Sequence, residues 1–164
     1  MWKIRDAVDA DVAGIFEIYH EQVLHSTATF ETVVKSVGEQ RAWFEQHDRA
    51  VYAVLVAEEA GRVIGWARLY PWSPRKAYLR TAENAVYIHT DARGRGVGRA
   101  LLGALLDRAG RTCVREVMAR ISEGNPASVA LHLAFGYQDV GLMRRAGEKF
   151  GRLIDVRLMQ KSLG

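Results

Sequence analysis

Glu83, His132 and the run Arg93–Arg99 are the residues whose types and spacing suit chemistry at a carbonyl or a phosphate. Arg93-Gly94-Arg95-Gly96-Val97-Gly98-Arg99 follows an apolar stretch, Ala85–Ile88, and precedes the helical pattern of Leu101, Leu102, Leu105 and Leu106. Three glycines and three arginines therefore sit in a turn between a strand and a helix. Glycine lets backbone amides approach a ligand closely. The helix start adds unpaired N–H groups and the positive end of a dipole. Together these make a cradle for a phosphate or pyrophosphate. The turn lacks the Lys-Ser/Thr ending of a Walker A loop, and Arg99 stands where the dinucleotide fingerprint has its last glycine. Taken alone, it also fits a Gly/Arg-rich surface turn or a basic nucleic-acid patch.

Glu83 lies ten residues before the cradle's first arginine, at the head of the strand leading into it. Ala82, Ala85 and Val86 around it are apolar, a setting that suits a general base. The same residue also fits an exposed carboxylate at a strand end. His132 lies seven residues after Asn125, two helical turns, so the two share a face. Val129 and Phe135 frame the imidazole, which reads either as a catalyst or as a hydrogen-bonded core histidine. The other histidines show no spacing of metal ligands, and no metal is expected. Arg75, Tyr78 and Arg80 occupy the loop before Glu83. An arginine fork there would grip a carboxylate, although a solvated basic loop has the same composition. Phe30 is either an apolar substrate wall or a core anchor. Lys149 and Arg152 flank glycines, as residues decorating a tight turn do.

These side chains need a scaffold, and 164 residues suit a single domain, residues 1–164, with one core. A net charge of +4 favours small anionic ligands mildly and argues against a nucleic-acid partner. The lone Cys113 excludes an intrachain disulfide. The first residues lack the apolar core of a signal peptide, and no apolar run approaches a membrane span. A cytoplasmic protein with no membrane partner is expected. Apolar alternation and turn residues predict strands at Trp2–Arg5, Val51–Glu58, Arg62–Leu69, from near Glu83, Glu116–Ile121, Tyr137–Arg144 and Ile154–Gln160. Helices are predicted around Val12–Val23, after a capping box at Ser36 and Glu39, after the glycine turn, and from Asn125-Pro126 to Gly136. The order gives an α/β class: a mixed sheet with helices on both faces.

Arg93-x-x-Gly96-x-Gly98 resembles the pyrophosphate motif of the GNAT N-acetyltransferases, whose fold has a mixed, mostly antiparallel central sheet. The chain is similar nearly end to end to the phosphinothricin/methionine sulfoximine acetyltransferase branch. The likeness runs through Ile4-Arg5-Asp-Ala, Ala28-Thr-Phe30-Glu31, Arg75-x-x-Tyr78, Thr81-Ala-Glu83-Asn-Ala-Val86-Tyr87-Ile88, Asn125-x-x-Ser128-x-x-Leu131-His132, Phe135-Gly136-Tyr137 and Gly147-x-Lys149-Phe-Gly151-Arg152.

The resemblance implies transfer of the acetyl group of acetyl-CoA to the amine of a small amino acid or analogue. It implies Glu83 as base and His132 as the acid for the leaving thiolate or the group that positions it. Val86, Tyr87 and Ile88 would pair with the pantetheine arm, Arg93 to Arg99 would hold the pyrophosphate, and Asn125 and Ser128 would touch the cofactor. Phe30, Arg75 and Tyr78 fall at substrate-pocket positions, Arg75 holding the carboxylate, and the branch implies a homodimer. The chain departs from the branch at His20, at Leu153 and around Arg68. Another amine (a polyamine, a peptide or a protein N-terminus) and a non-catalytic CoA- or amino-acid-binding module are the alternative readings.

Overall fold

The glycine turn joins the sheet's one pair of parallel neighbours; all other neighbours are antiparallel. In the computed structural model, which describes residues 1–164, β4 (Thr81–Ile88) leads through the turn into α3 (Val97–Ala109) and returns as β5 (Glu116–Ser122). Parallel strands need such a crossover, because the chain must travel back to the edge where it started. β1 (Lys3–Asp6), β2 (Val54–Glu59) and β3 (Arg62–Pro71) extend the sheet beyond β4, and β7 (Arg152–Ser162) and β6 (Gln138–Lys149) extend it beyond β5. The strand order is β1-β2-β3-β4-β5-β7-β6, the mixed, mostly antiparallel sheet that the resemblance implied.

The two faces carry different helices. Leu101, Leu102 and Leu105 of α3 are fully buried in a core with Leu55, Ala67, Leu69 and Val117. On the other face Ile15 and Phe16 of α1 (Val12–His25) and Phe44 of α2 (Val37–Gln46) meet Val54, Val56 and Trp66. Strand alternation then sorts β4. Ala82, Val86 and Ile88 pack in the α3 core, whereas Tyr87 packs with the α1 cluster, which places Glu83 and Ala85 on that second face.

β4 and β5 pair only over Thr81–Glu83 and Glu116–Met118. From there on β4 bonds to β3 alone, as far as Ile88. His89 N–H donates to Ile64 O (3.0 Å) and Trp72 N–H to Thr81 O (3.2 Å), so odd-numbered residues of β4 address β3. The backbone groups of Val86 and Ile88 therefore point the other way, into an opening between β4 and β5.

Local signals set the helix ends. Ser36 and Glu39 form the expected capping box. Asn125 Oδ1 accepts the Ser128 N–H at 3.2 Å, ahead of α4 (Pro126–Ala134). Gly136 holds the left-handed conformation (φ 79°) that stops the helix there. β6 runs five residues past its expected end at Arg144. Register breaks between Asp139 and Gly141 and between Met143 and Gly147 interrupt its alternation and hide its length.

Candidate active site

The opening between β4 and β5 leads into a cleft of about 1170 Å³. Its walls are the glycine turn, the first turns of α4, the exposed halves of β4 and β5, and the 26–31 loop after α1.

At one end Gly96, at φ 80°, caps α3 without help from a side chain. Ala100 N–H donates back to Gly96 O (3.1 Å), and the amides of Val97, Gly98 and Arg99 precede that first helical bond. Arg93, Gly94, Gly96, Val97, Gly98 and Arg99 line the cleft here, with Asn125 and Ser128 of the α4 start opposite. Arg95 does not join them. Its guanidinium donates to both carboxylate oxygens of Glu59 (2.7 and 2.9 Å), on the far side of the turn.

At the other end stands Glu83, 3% exposed. Sequence reading placed only apolar neighbours around it. The structure adds Arg120 of β5, whose Nε donates to Oε1 (2.8 Å) and whose Nη2 donates to Oε2 (2.6 Å). Arg120 is half-exposed at the cleft wall, with its guanidinium 5.4 Å from the Trp72 ring centre. Donating those hydrogen bonds to Glu83 raises the Arg120 pKa further. Tyr70, the register partner of Glu83, also lines the cleft, and burial, then the Glu83 charge, pushes its hydroxyl up and keeps it a neutral phenol.

His132, 4% exposed, reaches the cleft from α4. Its Nδ1 lies 2.7 Å from the Ser128 carbonyl, which can only accept, so Nδ1 carries the proton. Nε2 then accepts from Asn84 Nδ2 at 2.9 Å, and the Tyr137 hydroxyl donates to Asn84 Oδ1 at 2.9 Å. Burial lowers the His132 pKa. Both ring nitrogens are thus occupied within the protein, Nδ1 by the Ser128 carbonyl and Nε2 by the Asn84 amide.

Phe30 lines the cleft and is 39% exposed, so it is not a core anchor. Its ring rests on Gly147 of β6, where an added Cβ would fall 2.1 Å from Cε2. Lys149 is no decoration of a turn. It is 4% exposed, and its ammonium donates to the carbonyls of Ser26 (2.7 Å), Thr29 (2.8 Å) and Gln22 (3.3 Å), pinning the loop that carries Phe30. Arg75 and Tyr78 are exposed and lie outside the cleft of the single chain, because the loop holding them turns outward after Pro71. Arg68 and Arg120 are the guanidiniums on the Glu83 side. In the sequence Arg68 stands out only as a departure from the resembling branch, and Arg120 does not stand out at all.

The model of the Acetyltransferase (GNAT) domain family matches residues 4–158. The chain belongs to the GNAT acetyltransferases. Among its relatives, the L-methionine sulfoximine/L-methionine sulfone acetyltransferase of Pseudomonas aeruginosa is 39% identical over 98% of this chain and 94% of its own length. The phosphinothricin N-acetyltransferase of Alcaligenes faecalis is 40% identical over 98% of this chain and 82% of its own. The crystal structure of a phosphinothricin acetyltransferase from Sinorhizobium meliloti in complex with AcCoA superposes with a TM-score of 0.95, at 40% identity over 99% of this chain and 89% of that one.

Proposed function

We propose that this GNAT protein is a cytoplasmic N-acetyltransferase that moves the acetyl group of acetyl-CoA to the primary amine of a small amino acid or analogue. The acceptors are of the phosphinothricin, methionine sulfoximine or methionine sulfone type that the relatives' names give. The observation that carries this reading is the opening between β4 and β5, with free amides at one end and Glu83 at the other.

The residues fit acetyl-CoA. Val97, Gly98 and Arg99 offer amides to a diphosphate, and Arg93 and Arg99 offer charge. A Cβ at Gly98 would meet Ile88 and Leu131 only at 3.7–3.8 Å, an ordinary contact, so the fold itself does not demand glycine there. Close approach by a ligand does. Val86 and Ile88 offer unpaired backbone groups to an extended arm, and Asn125 and Ser128 face them across the cleft. Tyr87 contributes its ring and not its amide, which addresses β3. Acetyl-CoA, when bound, supplies the activated acetyl group.

Glu83 takes the proton from the acceptor ammonium. Two N–H groups of Arg120 use two of the roughly four lone-pair sites of its carboxylate, so sites remain for the amine. Arg120 takes the role expected of Arg75: half-exposed beside Glu83, it receives a carboxylate adjacent to the amine. The Glu83–Arg120 pair is thus complementary to an amino-acid zwitterion, whose ammonium and carboxylate lie side by side. A polyamine, a peptide or a protein N-terminus lacks that neighbouring carboxylate. Phe30 walls the acceptor, and His132 orients Asn84 at the inner end.

A homodimer forms through β6, the outer strand, where Val140, Leu142 and Met143 are 51%, 49% and 38% exposed along an unpaired edge. Light scattering behind a sizing column reads this as twice the chain mass.

Thiol release from acetyl-CoA with a panel of amino acids, their oxidised and phosphinyl analogues, polyamines and peptides tests the function. Turnover confined to amino-acid acceptors is expected. Turnover confined to polyamines or peptides overturns the substrate class, and CoA binding without any turnover makes the protein a binding module.

A further inference from the structure

Arg68 carries the only other guanidinium on the Glu83 side of the cleft, and nothing in the chain neutralises it. It takes part in no ion pair. Its Nε is buried without a hydrogen-bond partner, a property it shares with one other side-chain atom, Trp66 Nε1, two residues earlier on the same face of β3. Glu83, the nearby carboxylate on β4, is already forked by Arg120. Glu31, on the loop facing Arg68 across the cleft, forms no ion pair with it. Tyr19, Tyr70 and Tyr87 surround the position, and all three are neutral phenols whose hydroxyls burial pushes up. Stacking over Tyr70 (4.4 Å) and Trp43 (5.3 Å) holds the guanidinium in place without cancelling its charge. A partly buried cation with a spare donor is costly unless an anion arrives.

We infer that Arg68 is the seat for a second, terminal anionic group of the acceptor, and that the protein prefers amino acids carrying one over neutral analogues. Spacing supports this. Tyr70 lies opposite Glu83, and Arg68 is one same-face position further along β3, about 7 Å away. An α-carboxylate sits too close to the amine to bridge that interval and remains with Arg120. A carboxyl or phosphinyl group on the γ-carbon reaches it. The anion would displace no existing partner and would satisfy the unpaired Nε.

The inference rests on the amino-acid acetyltransferase reading and deepens it, and a matched acceptor pair separates the two. Phosphinothricin and methionine sulfone both end in a tetrahedral centre bearing two oxygens and one methyl, and they differ by one negative charge. kcat/KM is measured for both with the full-length protein, with Arg68→Met and with Arg68→Lys. The unaltered protein is expected to favour phosphinothricin at least 10-fold, since charge-assisted hydrogen bonds are about twice as strong as neutral ones. Arg68→Met is expected to reduce the ratio of the two kcat/KM values by about 10- to 100-fold, chiefly through KM for phosphinothricin. Arg68→Lys keeps the charge without the fork and gives an intermediate ratio. An equal loss toward both acceptors in Arg68→Met, with Arg68→Lys no better, overturns the inference, as does a preference for the sulfone in the unaltered protein. Turnover of neither acceptor overturns the amino-acid reading and this inference with it.

Discussion

Arg120 grips both oxygens of Glu83 across the one parallel strand pair of the sheet, at 2.8 and 2.6 Å, at the last rung before β4 and β5 part. Glu83 and its partner are therefore fixed by the same local geometry that opens the cleft. Pairing at Thr81–Glu83 holds the two strands close enough for the fork, and its end beyond Glu83 makes room for substrate.

Glu83→Gln keeps the side-chain shape but removes the proton acceptor and one of the two oxygens that Arg120 grips. Turnover is expected to fall about 10²-fold or more, the usual contribution of a positioned base. The proposed acetyl-CoA site lies at the far end of the cleft, so its Kd by calorimetry should stay within about twofold of the unaltered value. A pH–rate profile that the substitution does not change would reject the assignment of Glu83.

Arg120→Met tests the zwitterion fit. With the fork gone, KM for an amino acid should rise about 10-fold or more, while KM for the corresponding amine without its carboxylate should change little. Arg120→Lys should recover part of the difference, because it restores charge but not bidentate geometry. If both acceptors suffer alike, Arg120 supports Glu83 and does not touch substrate.

Much of this architecture is legible in the chain because the signals are local. Ser36 with Glu39, Asn125 with Pro126, and Gly136 each mark a helix end through atoms a few residues apart, and the structure has the same caps. The glycine turn is legible for the same reason. The long-range pairings are not. Arg120 and Glu83 are 37 residues apart and become neighbours only through the crossover. Lys149 reads as a turn residue because glycines flank it, yet it reaches 120 and 123 residues back to the loop after α1. Arg95 looks like part of the cradle, but Glu59, on a distant strand, draws it away. Arg75 matches a motif whose side chain lies outside the cleft of a single chain.

Histidine burial sets an acid limit on stability. Desolvation lowers the pKa of His132 below its ordinary 6.5 and does the same at His47. The folded rings stay neutral while the unfolded chain takes up protons near 6.5, so stability is lost as pH falls from there toward the lowered folded values. Each histidine contributes at most about 1.4 kcal/mol per pH unit in that window. His132→Gln should therefore show a shallower fall of the urea midpoint between pH 7 and pH 5.5 than the unaltered protein. In kcat, an imidazolium acid would produce an alkaline limb that this substitution abolishes. A neutral positioning residue predicts a lower kcat with the limbs of the profile unmoved.

Gly147 and Phe30 provide a test of the acceptor wall that leaves the acetyl-CoA end untouched. Any side chain at 147 would overlap the Phe30 ring, since an added Cβ lies 2.1 Å from Cε2 and 2.6 Å from Cδ2. The ring cannot retreat easily, because the Lys149 ammonium holds the carbonyls of Ser26 and Thr29 in its loop together with that of Gln22 in α1. Gly147→Ala must therefore either strain the contact or swing the aromatic wall aside. Overpacking of this kind costs about 1–3 kcal/mol, and in a chain this size each kcal/mol lowers Tm by about 2–4 °C. Acceptor KM should rise several-fold as the wall moves, while KM for acetyl-CoA should hold. Crystals of the variant with Phe30 unmoved and Tm unchanged would show that the loop is looser than its hydrogen bonds imply, and the wall would then have to be sought elsewhere in the 26–31 segment.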